Sequence, residues 1–397
     1  MKAFLADMLT GRRVLNLPHD SASWTQTLND TDSVTVTIPL YAASQDAATE
    51  RLANDARILD LRNTAALGKT VLVVEDEGKL IGGPIMERSY DSATSKLTLT
   101  AAGMWSYFDH RVLLPPAAAS NPLVKADGTP DTSLDMHWSK VTWNTIARNI
   151  VEQAMNWPNG HVPVVLEEPE TGSSEVNYTA VDLNIVGEVL SNITERENGC
   201  DIMFVCQRQE DGLGFEWRMV TGHPLIQAAE HKFNANALNP GLTDLNSSET
   251  ADSLATRCWF SAGKSDDKVL VASAYSTLLT DAGAPCWDMV NSEHSTVKIL
   301  QTLQDYATEA AGVYYMPVSS TECKIHRDYL TSIARLSLSN LNVGDLMTFR
   351  TTGDWFFADG EHTRRITALS GSEDDDWITV TLGDVFSTVT IDERENA

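Results

Sequence analysis

Asp345-Leu-Met-Thr-Phe-Arg350, Thr351-Thr-Gly-Asp354, Trp355-Phe-Phe-Ala358, Arg364-Arg-Ile-Thr-Ala-Leu369, Ser370-Gly-Ser-Glu-Asp-Asp-Asp376 and Trp377-Ile-Thr-Val-Thr-Leu382 follow one another near the end of the chain. Apolar and polar residues alternate through the runs, and the breaks between them hold Gly, Ser or Asp, so the passage reads as strands joined by turns. The turn at Thr351–Asp354 is followed by a short strand Trp355–Ala358, and a polar hairpin at Ser370–Asp376 leads into the last strand. The same layout occurs near the other end of the chain. Lys69-Thr-Val-Leu-Val-Val74, the turn Glu75-Asp-Glu-Gly78, the run Lys79 to Tyr90, the polar hairpin Asp91-Ser-Ala-Thr-Ser95 and Lys96-Leu-Thr-Leu-Thr100 give a three-strand antiparallel meander. Each passage carries an arginine-bearing strand, with Arg88 in one and Arg365 in the other. Ser33-Val-Thr-Val-Thr-Ile-Pro39 adds another alternating strand to the first.

Between these β passages the pattern changes. Leu114-Pro-Pro-Ala-Ala-Ala-Ser-Asn-Pro122 reads as a linker or loop. Trp143 to Asn156 places Ile146, Ile150 and Ala154 on one stripe, and Trp157-Pro-Asn-Gly160 stops the helix. Thr179-x-x-Asp182 resembles a capping box ahead of a second helix with Leu183, Val186, Leu190 and Ile193 on its apolar stripe, which Gly199 can end in the left-handed conformation. A hairpin follows, with strands Asp201–Gln207 and Phe215–Thr221 around Glu210–Gly214. The turn-rich run Asn236 to Ser248 reads as a boundary. A third helix spans 296–311, with Val297, Leu300, Leu303, Ala307 and Ala310 buried and Gly312 after it. The expected fold class is therefore α+β, mostly β. On this reading 1–111 is a first β domain, 112–247 an inserted α+β domain, and 248–397 a second β domain of similar plan with the flanking helix.

The composition of the 397 residues (42% hydrophobic, 21% charged) is that of a soluble globular chain. Asp plus Glu is 55 against 29 Lys plus Arg, a formal charge of −26, and no basic patch stands out, which argues against a phosphate-backbone site. The apolar run at the N-terminus is interrupted by Asp7 and is too short for a secretory core, and no apolar run reaches the length of a membrane span, so no membrane insertion is expected. Cys200, Cys206, Cys258, Cys286 and Cys323 form no Cys-x-x-Cys pair and read as free thiols.

Motifs for zinc peptidases, serine hydrolases, phosphate-binding loops and dinucleotide folds are absent. His223 and His231, eight apart around Pro224 and Glu230, read as ordinary surface or capping histidines. Glu373-Asp-Asp-Asp376 lacks the alternating oxygen ligands of a calcium loop and reads as a solvated hairpin tip. The pairs Glu167 with Glu168 and Glu195 with Glu197 could serve a glycosidase, but 55 acids in one chain generate such pairs by chance. Trp138, Trp143 and Trp157 read as packing anchors before sugar platforms. No catalytic, cofactor-binding or metal-binding residue is therefore assigned, and no cofactor is expected.

In the order of its motifs the chain resembles the minor tail proteins of long-tailed phages that act as the tail hub, or baseplate hub. The residues that carry this resemblance are Leu9-Thr-Gly-Arg-Arg-Val-Leu-Asn-Leu-Pro18, Ser23-Trp-Thr-Gln-Thr-Leu-Asn29 leading into Ser33–Pro39, Trp105-Ser-Tyr-Phe-Asp-His-Arg111, Asn342-Val-Gly-Asp-Leu346 and Arg364-Arg-Ile-Thr-Ala368. The resemblance implies a non-enzymatic homotrimer in the virion tail tip, made in the host bacterial cytoplasm. Each chain would contribute two tube-like β-barrels, 1–111 and 248–397, bracketing the inserted domain, so that three chains present six units to a sixfold tail tube while the middle domains carry a threefold tip; Val34–Ile38 and Ile378–Leu382 are then the candidate edge strands that meet across subunits. Implied partners are the distal tail or tail tube protein, the tail fibre, spike or receptor-binding proteins, the tape measure protein, and DNA in transit through an axial channel. If part of three such charges (3 × −26 = −78) lines that channel, phosphates are repelled from its wall. Two other readings stand beside it. A carbohydrate-binding or polysaccharide-degrading receptor-binding protein predicts a tryptophan-lined groove with two carboxylates; an adhesive fibre module would require repeats of short strands, which are lacking.

Overall fold

Alternation sets the first strands, β1 (Lys2–Asp7), β2 (Arg13–Leu17), β3 (Ser21–Thr27), β4 (Ser33–Pro39), β5 (Thr70–Asp76), β6 (Lys79–Asp91) and β7 (Lys96–Ala102). In β3, β4 and β7 every second side chain is buried, as one core face and one open face require. β5 departs from this: Val71 to Val74 are all fully buried, because the strand is covered on both faces. The computed structural model describes residues 1–40, 60–196, 199–226, 229–235, 241–262, 269–294, 300–332, 334 and 336–383, and the chain falls into two units, 1–244 with 323–397, and 245–322.

The middle of the chain adds β8 (Met136–Val141), β9 (Val164–Val165), β10 (Ser174–Tyr178), β11 (Ile202–Arg208), β12 (Phe215–Thr221), β13 (Glu230–Asn234) and β14 (Leu242–Thr250). Next come β15 (Arg257–Ala262), β16 (Val271–Tyr275), β17 (Asp288–His294), β18 (Val318–His326), β19 (Leu346–Thr351), β20 (Gly360–Ser372) and β21 (Trp377–Gly383). The C-terminal meander repeats the N-terminal one closely. β6 and β20 both have 13 residues, β7 and β21 both have 7, and the ladder to the following strand slips after the seventh residue of each long strand, Ile85 and Ile366. Such a slip bends and twists a strand at one point, so the two meanders share a curvature device as well as an order. Arg88 and Arg365 do not occupy equivalent places: Arg88 donates to the Arg62 and Ala65 carbonyls, Arg365 to the Ile226 and Gly344 carbonyls.

The two meanders do not close separately. β20 pairs antiparallel with β3, from Ala368 opposite Thr27 to Ser372 opposite Ser23, and the order runs β18-β21-β20-β3-β4-β7-β6-β5-β1-β2 in one sheet, with β19 joined to β20 and β13 to β19. Among the described residues no closed barrel forms. An unpaired edge is costly, and each meander satisfies the edge of the other. The expected edge strands are accordingly interior: β4, which holds Val34–Ile38, lies between β3 and β7, and β21, which holds Ile378–Leu382, lies between β20 and β18. Trp355–Ala358 is no strand; the carboxylates of Asp354 and Asp359 accept the backbone N–H groups of Phe356, Phe357 and Gly353, holding them in a loop.

Besides single helical turns at Leu61–Thr64 and Leu278–Asp281, the chain has α1 (Trp105–Phe108), α2 (Trp143–Met155) and α3 (Val186–Thr194) in the first unit, α4 (Leu300–Val313) in the second and α5 (Arg327–Ser332) after it. Ile146, Ile150 and Ala154 are buried as their spacing predicts, and Thr142 caps the first turn through the Thr145 amide at 3.3 Å. The second helix begins later than the capping-box reading expects. Thr179 makes no side-chain cap, Leu183 is left-handed and exposed, and the α-helix starts at Val186, leaving Val186, Leu190 and Ile193 on the buried stripe. Gly199 is not among the positive-φ residues, and the helix ends in right-handed geometry at Glu195. The two helices, β11 and β12 share one core with the first meander: Phe4, Val71, Val73, Trp105 and Phe108 pack with Ile150, Leu190, Phe204 and Trp217.

In the second unit β15 pairs antiparallel with β16 and parallel with β17. α4 covers them, burying Leu303, Ala307 and Ala310 against Cys258, Phe260 and Ala272. The helix continues through Gly312 to Val313, and residues 296–299 of the expected span lie outside the described residues.

Candidate functional site

The β5–β6 hairpin ends in the tight turn Asp76-Glu77-Gly78-Lys79, where Glu77 and Gly78 both have positive φ, the backbone twist that two-residue hairpins favour. Its flanking charges are buried. Asp76 accepts Trp24 Nε1 at 2.8 Å and a bidentate pair from Arg327, Nη1 and Nη2 each at 2.9 Å. Arg327, at the start of α5, also donates to the carbonyls of Ser372 and Asp375 in the β20–β21 hairpin. Burial alone would lower the Arg327 pKa, but Asp76 and Glu77 outweigh it and hold it above the ordinary arginine value. Trp24 in turn packs on Gly371, where an added Cβ would come within 3.0 Å of its ring. The tip of the first meander is thus bolted to the hairpin of the second.

Lys79, on the other side of the turn, is buried and donates to Gln26 Oε1 at 3.0 Å and Asn342 Oδ1 at 3.1 Å. Burial pushes its ammonium down to about 8, although Asp32, Asp345 and Asp76 pull it upward. Between pH 8 and 10.5 the unfolded chain then holds this proton and the folded chain does not, so the Lys79 contribution to stability rises with pH across that window. Replacing Lys79 with methionine is expected to remove that rise; chemical-denaturation midpoints that change equally in both proteins between pH 7.5 and 10 would refute it.

A second tie joins the middle of the chain to β20. Asp201 contacts the Arg365 guanidinium, accepts the Ile226 amide at 2.7 Å and receives Asn29 Nδ2 at 2.8 Å, while Asn29 Oδ1 accepts the Ile202 amide. Nearby, the fully buried Asp345 accepts the Ala229 and Asn342 amides and faces His231 Nε2 at 3.0 Å. His231 therefore orders the β13–β19 junction. His223 is exposed, beside Glu170 at 3.7 Å, and among the described residues no group of three His, Cys, Asp or Glu is placed to hold a metal.

The open face of the sheet over these ties has an unusual chemistry. Cross-strand register aligns Thr379, Ser370, Thr25, Ser33 and Ala102 in one row, and Ser372, Ser23, Thr35 and Thr100 in the next. Flanking rows hold Ser21, Thr37 and Thr98, and Thr381, Ala368 and Thr27. Across five strands, about 20 Å, these rows present hydroxyls and methyls and no charge. Charge returns at the margin, with Glu87 opposite Thr100 on β6 and Lys96 paired to Asp20 at 3.0 Å. Alternation showed each strand to be half-polar; only the register shows that the polar halves merge.

The remaining sequence candidates take ordinary places. Glu167, Glu168 and Glu170 line a cleft of about 570 Å³ with Asn144, Arg148 and Arg218, and none of the residues lining it is a tryptophan. Glu167 is already engaged by the Thr221 hydroxyl at 2.6 Å and amide at 3.2 Å. Glu195 stands at the end of α3, and Glu197 lies outside the described residues. Trp138 packs edge-on to Tyr178, Trp143 lies under Arg196, and Trp157 donates to the Leu114 carbonyl. The Glu373–Asp376 tip is more than a solvated turn, since Glu373 meets His19 at 3.1 Å and the Asp375 and Asp376 carbonyls accept Arg327. All five cysteines are free; burial pushes Cys200 up to about 12 and Cys206 upward as well. Sequence reasoning passed over Trp355, which is 96% exposed. Among the described residues no helix is long and apolar enough to cross a membrane.

No protein-family model and no curated protein matches the chain. Solved structures do. The 43 kDa tail protein of prophage MuSo2 from Shewanella oneidensis aligns with a TM-score of 0.58 at 11% identity, covering 97% of this chain and 98% of that one. A tail protein from Neisseria meningitidis MC58 aligns with a TM-score of 0.53 at 11% identity, covering 97% of each. Over nearly its whole length, the chain has the fold of these phage tail proteins.

Proposed function

We propose that this chain is a structural tail hub protein of a phage tail tip, acting as a homotrimeric adaptor rather than as an enzyme. The observation that carries the reading is the duplicated meander, with matching strand lengths and matching slips after Ile85 and Ile366, set side by side in one sheet. Three chains then offer six similar β modules to a sixfold tube or distal tail protein, and the non-duplicated parts keep threefold symmetry for fibre, spike or receptor-binding proteins. The segments 1–111 and 248–397 supply the modules in this proposal, and 112–247 the threefold part. The buried ties at Asp76 and Asp201 suit such a ring, because modules that rocked against each other would not hold a sixfold register.

DNA in transit needs a wall that neither binds nor traps it. The hydroxyl face meets that need: it carries no Lys or Arg to exchange for phosphate counterions. In this reading the wall is neutral, and the 55 acids serve elsewhere. Virions built with Thr25→Lys, Thr35→Lys and Thr100→Lys together should eject DNA more slowly, and more so at low salt; unchanged ejection kinetics would count against this wall.

Native mass measurement with negative-stain imaging tests the hub reading itself. A trimeric ring with an axial hole is expected, and a pore-free monomer would overturn it. The polysaccharide-degrading alternative lacks its tryptophan-lined groove at the acidic cleft.

A further inference from the structure

The loop between β19 and β20 holds the most exposed tryptophan on the described surface, and the loop is built to hold it rigidly. Asp354 Oδ1 accepts the Phe356 and Phe357 amides at 2.8 and 2.9 Å, and Asp359 Oδ1 accepts the Gly353 amide at 2.6 Å. The backbone hydrogen bonds on Asp354 hold its carboxyl below the usual carboxylate range. Thr351 Oγ1 donates to the Ala358 carbonyl at 2.9 Å. Beneath, Phe357 is buried and packs edge-on to Phe349 at 5.4 Å, with His362 stacked on Phe349 at 5.3 Å. Upon this base Trp355 is 96% exposed and Phe356 49%. A large apolar ring in water on an ordered loop is the composition of an interface anchor, since little further entropy is lost when a partner covers it.

The charge around the ring states what the partner must offer. Residues 351–362 contain Asp354, Asp359 and Glu361 and no Lys or Arg; His362 lies packed on Phe349 beneath the loop, and Arg350, the residue before this stretch, stands directly across the ladder from Glu361. Asp354 keeps its Oδ2 without a hydrogen-bond partner among the described residues, next in sequence to the open indole. We propose that this tip receives an arginine from a second protein with a basic surface, the guanidinium lying on the Trp355 ring and pairing with the Asp354 carboxylate. Arginine is the side chain that can satisfy both, being planar, permanently charged and able to stack while it donates. Another copy of this chain is a poorer occupant, because each carries −26 and the tip would meet like charge.

The test uses the full chain labelled with 5-fluorotryptophan, with the Trp355 fluorine signal assigned by its loss in Trp355→Phe. The probe is a pentapeptide containing two arginines, with the citrulline version as its neutral isostere. The arginine peptide should shift the Trp355 signal saturably and the citrulline peptide should bind about tenfold more weakly or worse. Raising salt from about 50 to about 500 mM should weaken the first response. An unresponsive Trp355 signal, or equal responses to the two peptides, overturns the proposal. So does a change of native mass in Trp355→Ala, which would assign the tip to contacts between copies; a monomeric wild type would refute the trimer while leaving this inference standing.

Discussion

Replacing Asp76 with alanine is expected to cost about 3–5 kcal/mol of folding stability, read as a large fall in the urea midpoint, because it removes one side of a buried ion pair and strands the other. Asp76 is 5% exposed and Arg327 13% at the side chain, and the same carboxylate takes the indole N–H of Trp24, itself 2% exposed. The variant leaves the buried indole donor unmatched and the guanidinium with only Glu77 at 3.2 Å and the Ser372 and Asp375 carbonyls to hold it. Removing both charges, Asp76→Leu with Arg327→Met, should recover much of the loss, since a buried pair replaced by apolar side chains is often close to neutral. A double-mutant cycle isolates the coupling. A single-variant cost under about 1 kcal/mol would mean that this contact is solvated in the folded protein and is not a bolt between the meanders.

Replacing Asp201 with alanine should rank with it, at about 3–5 kcal/mol, with a different signature. Asp201 gathers the Arg365 guanidinium, the Ile226 amide and Asn29, so its loss frees the junction at residues 222–226 and β20 together. Limited proteolysis should then cut near Gly222 to Ile226 before the β3–β4–β7 sheet is attacked, because local opening precedes global unfolding where the buried ties are fewest. In Asp76→Ala the cut is expected elsewhere, at the β20–β21 hairpin around Ser372 to Asp376, which Arg327 holds. Identical cleavage patterns in the two variants would show that the ties do not act locally.

Much of the local structure was legible in the residues. The alternation of Lys69–Thr100 and of Asp345–Leu382 announced strands that the structure contains, and Ile146, Ile150 and Ala154 announced α2. The misreadings share a cause: short-range patterns were taken to settle matters that long-range partners decide. Thr179 looks like a cap, but the helix begins seven residues later at Val186, where its buried stripe meets the core. Trp355–Phe357 is as apolar as a strand, yet the Asp354 carboxylate claims the Phe356 and Phe357 amides. Asp76 reads as a polar turn residue and Lys79 as the opening of the next run, until partners 251 and 263 positions away bury them. No signal in the sequence points to those partners; charged residues flanking a tight turn offer only a hint.

By itself the sequence determined most of the strands of the two meanders, the helix over Trp143–Met155 and that one strand-and-turn layout is written twice, because side-chain alternation and turn chemistry act over a few residues. Tertiary structure alone decided that the two meanders fuse through β20 and β3 instead of closing, and that hydroxyls from five strands merge into one neutral face. Pairing between strands hundreds of residues apart is chosen by how edges and buried charges can be satisfied together in space, and no local window of sequence contains that choice.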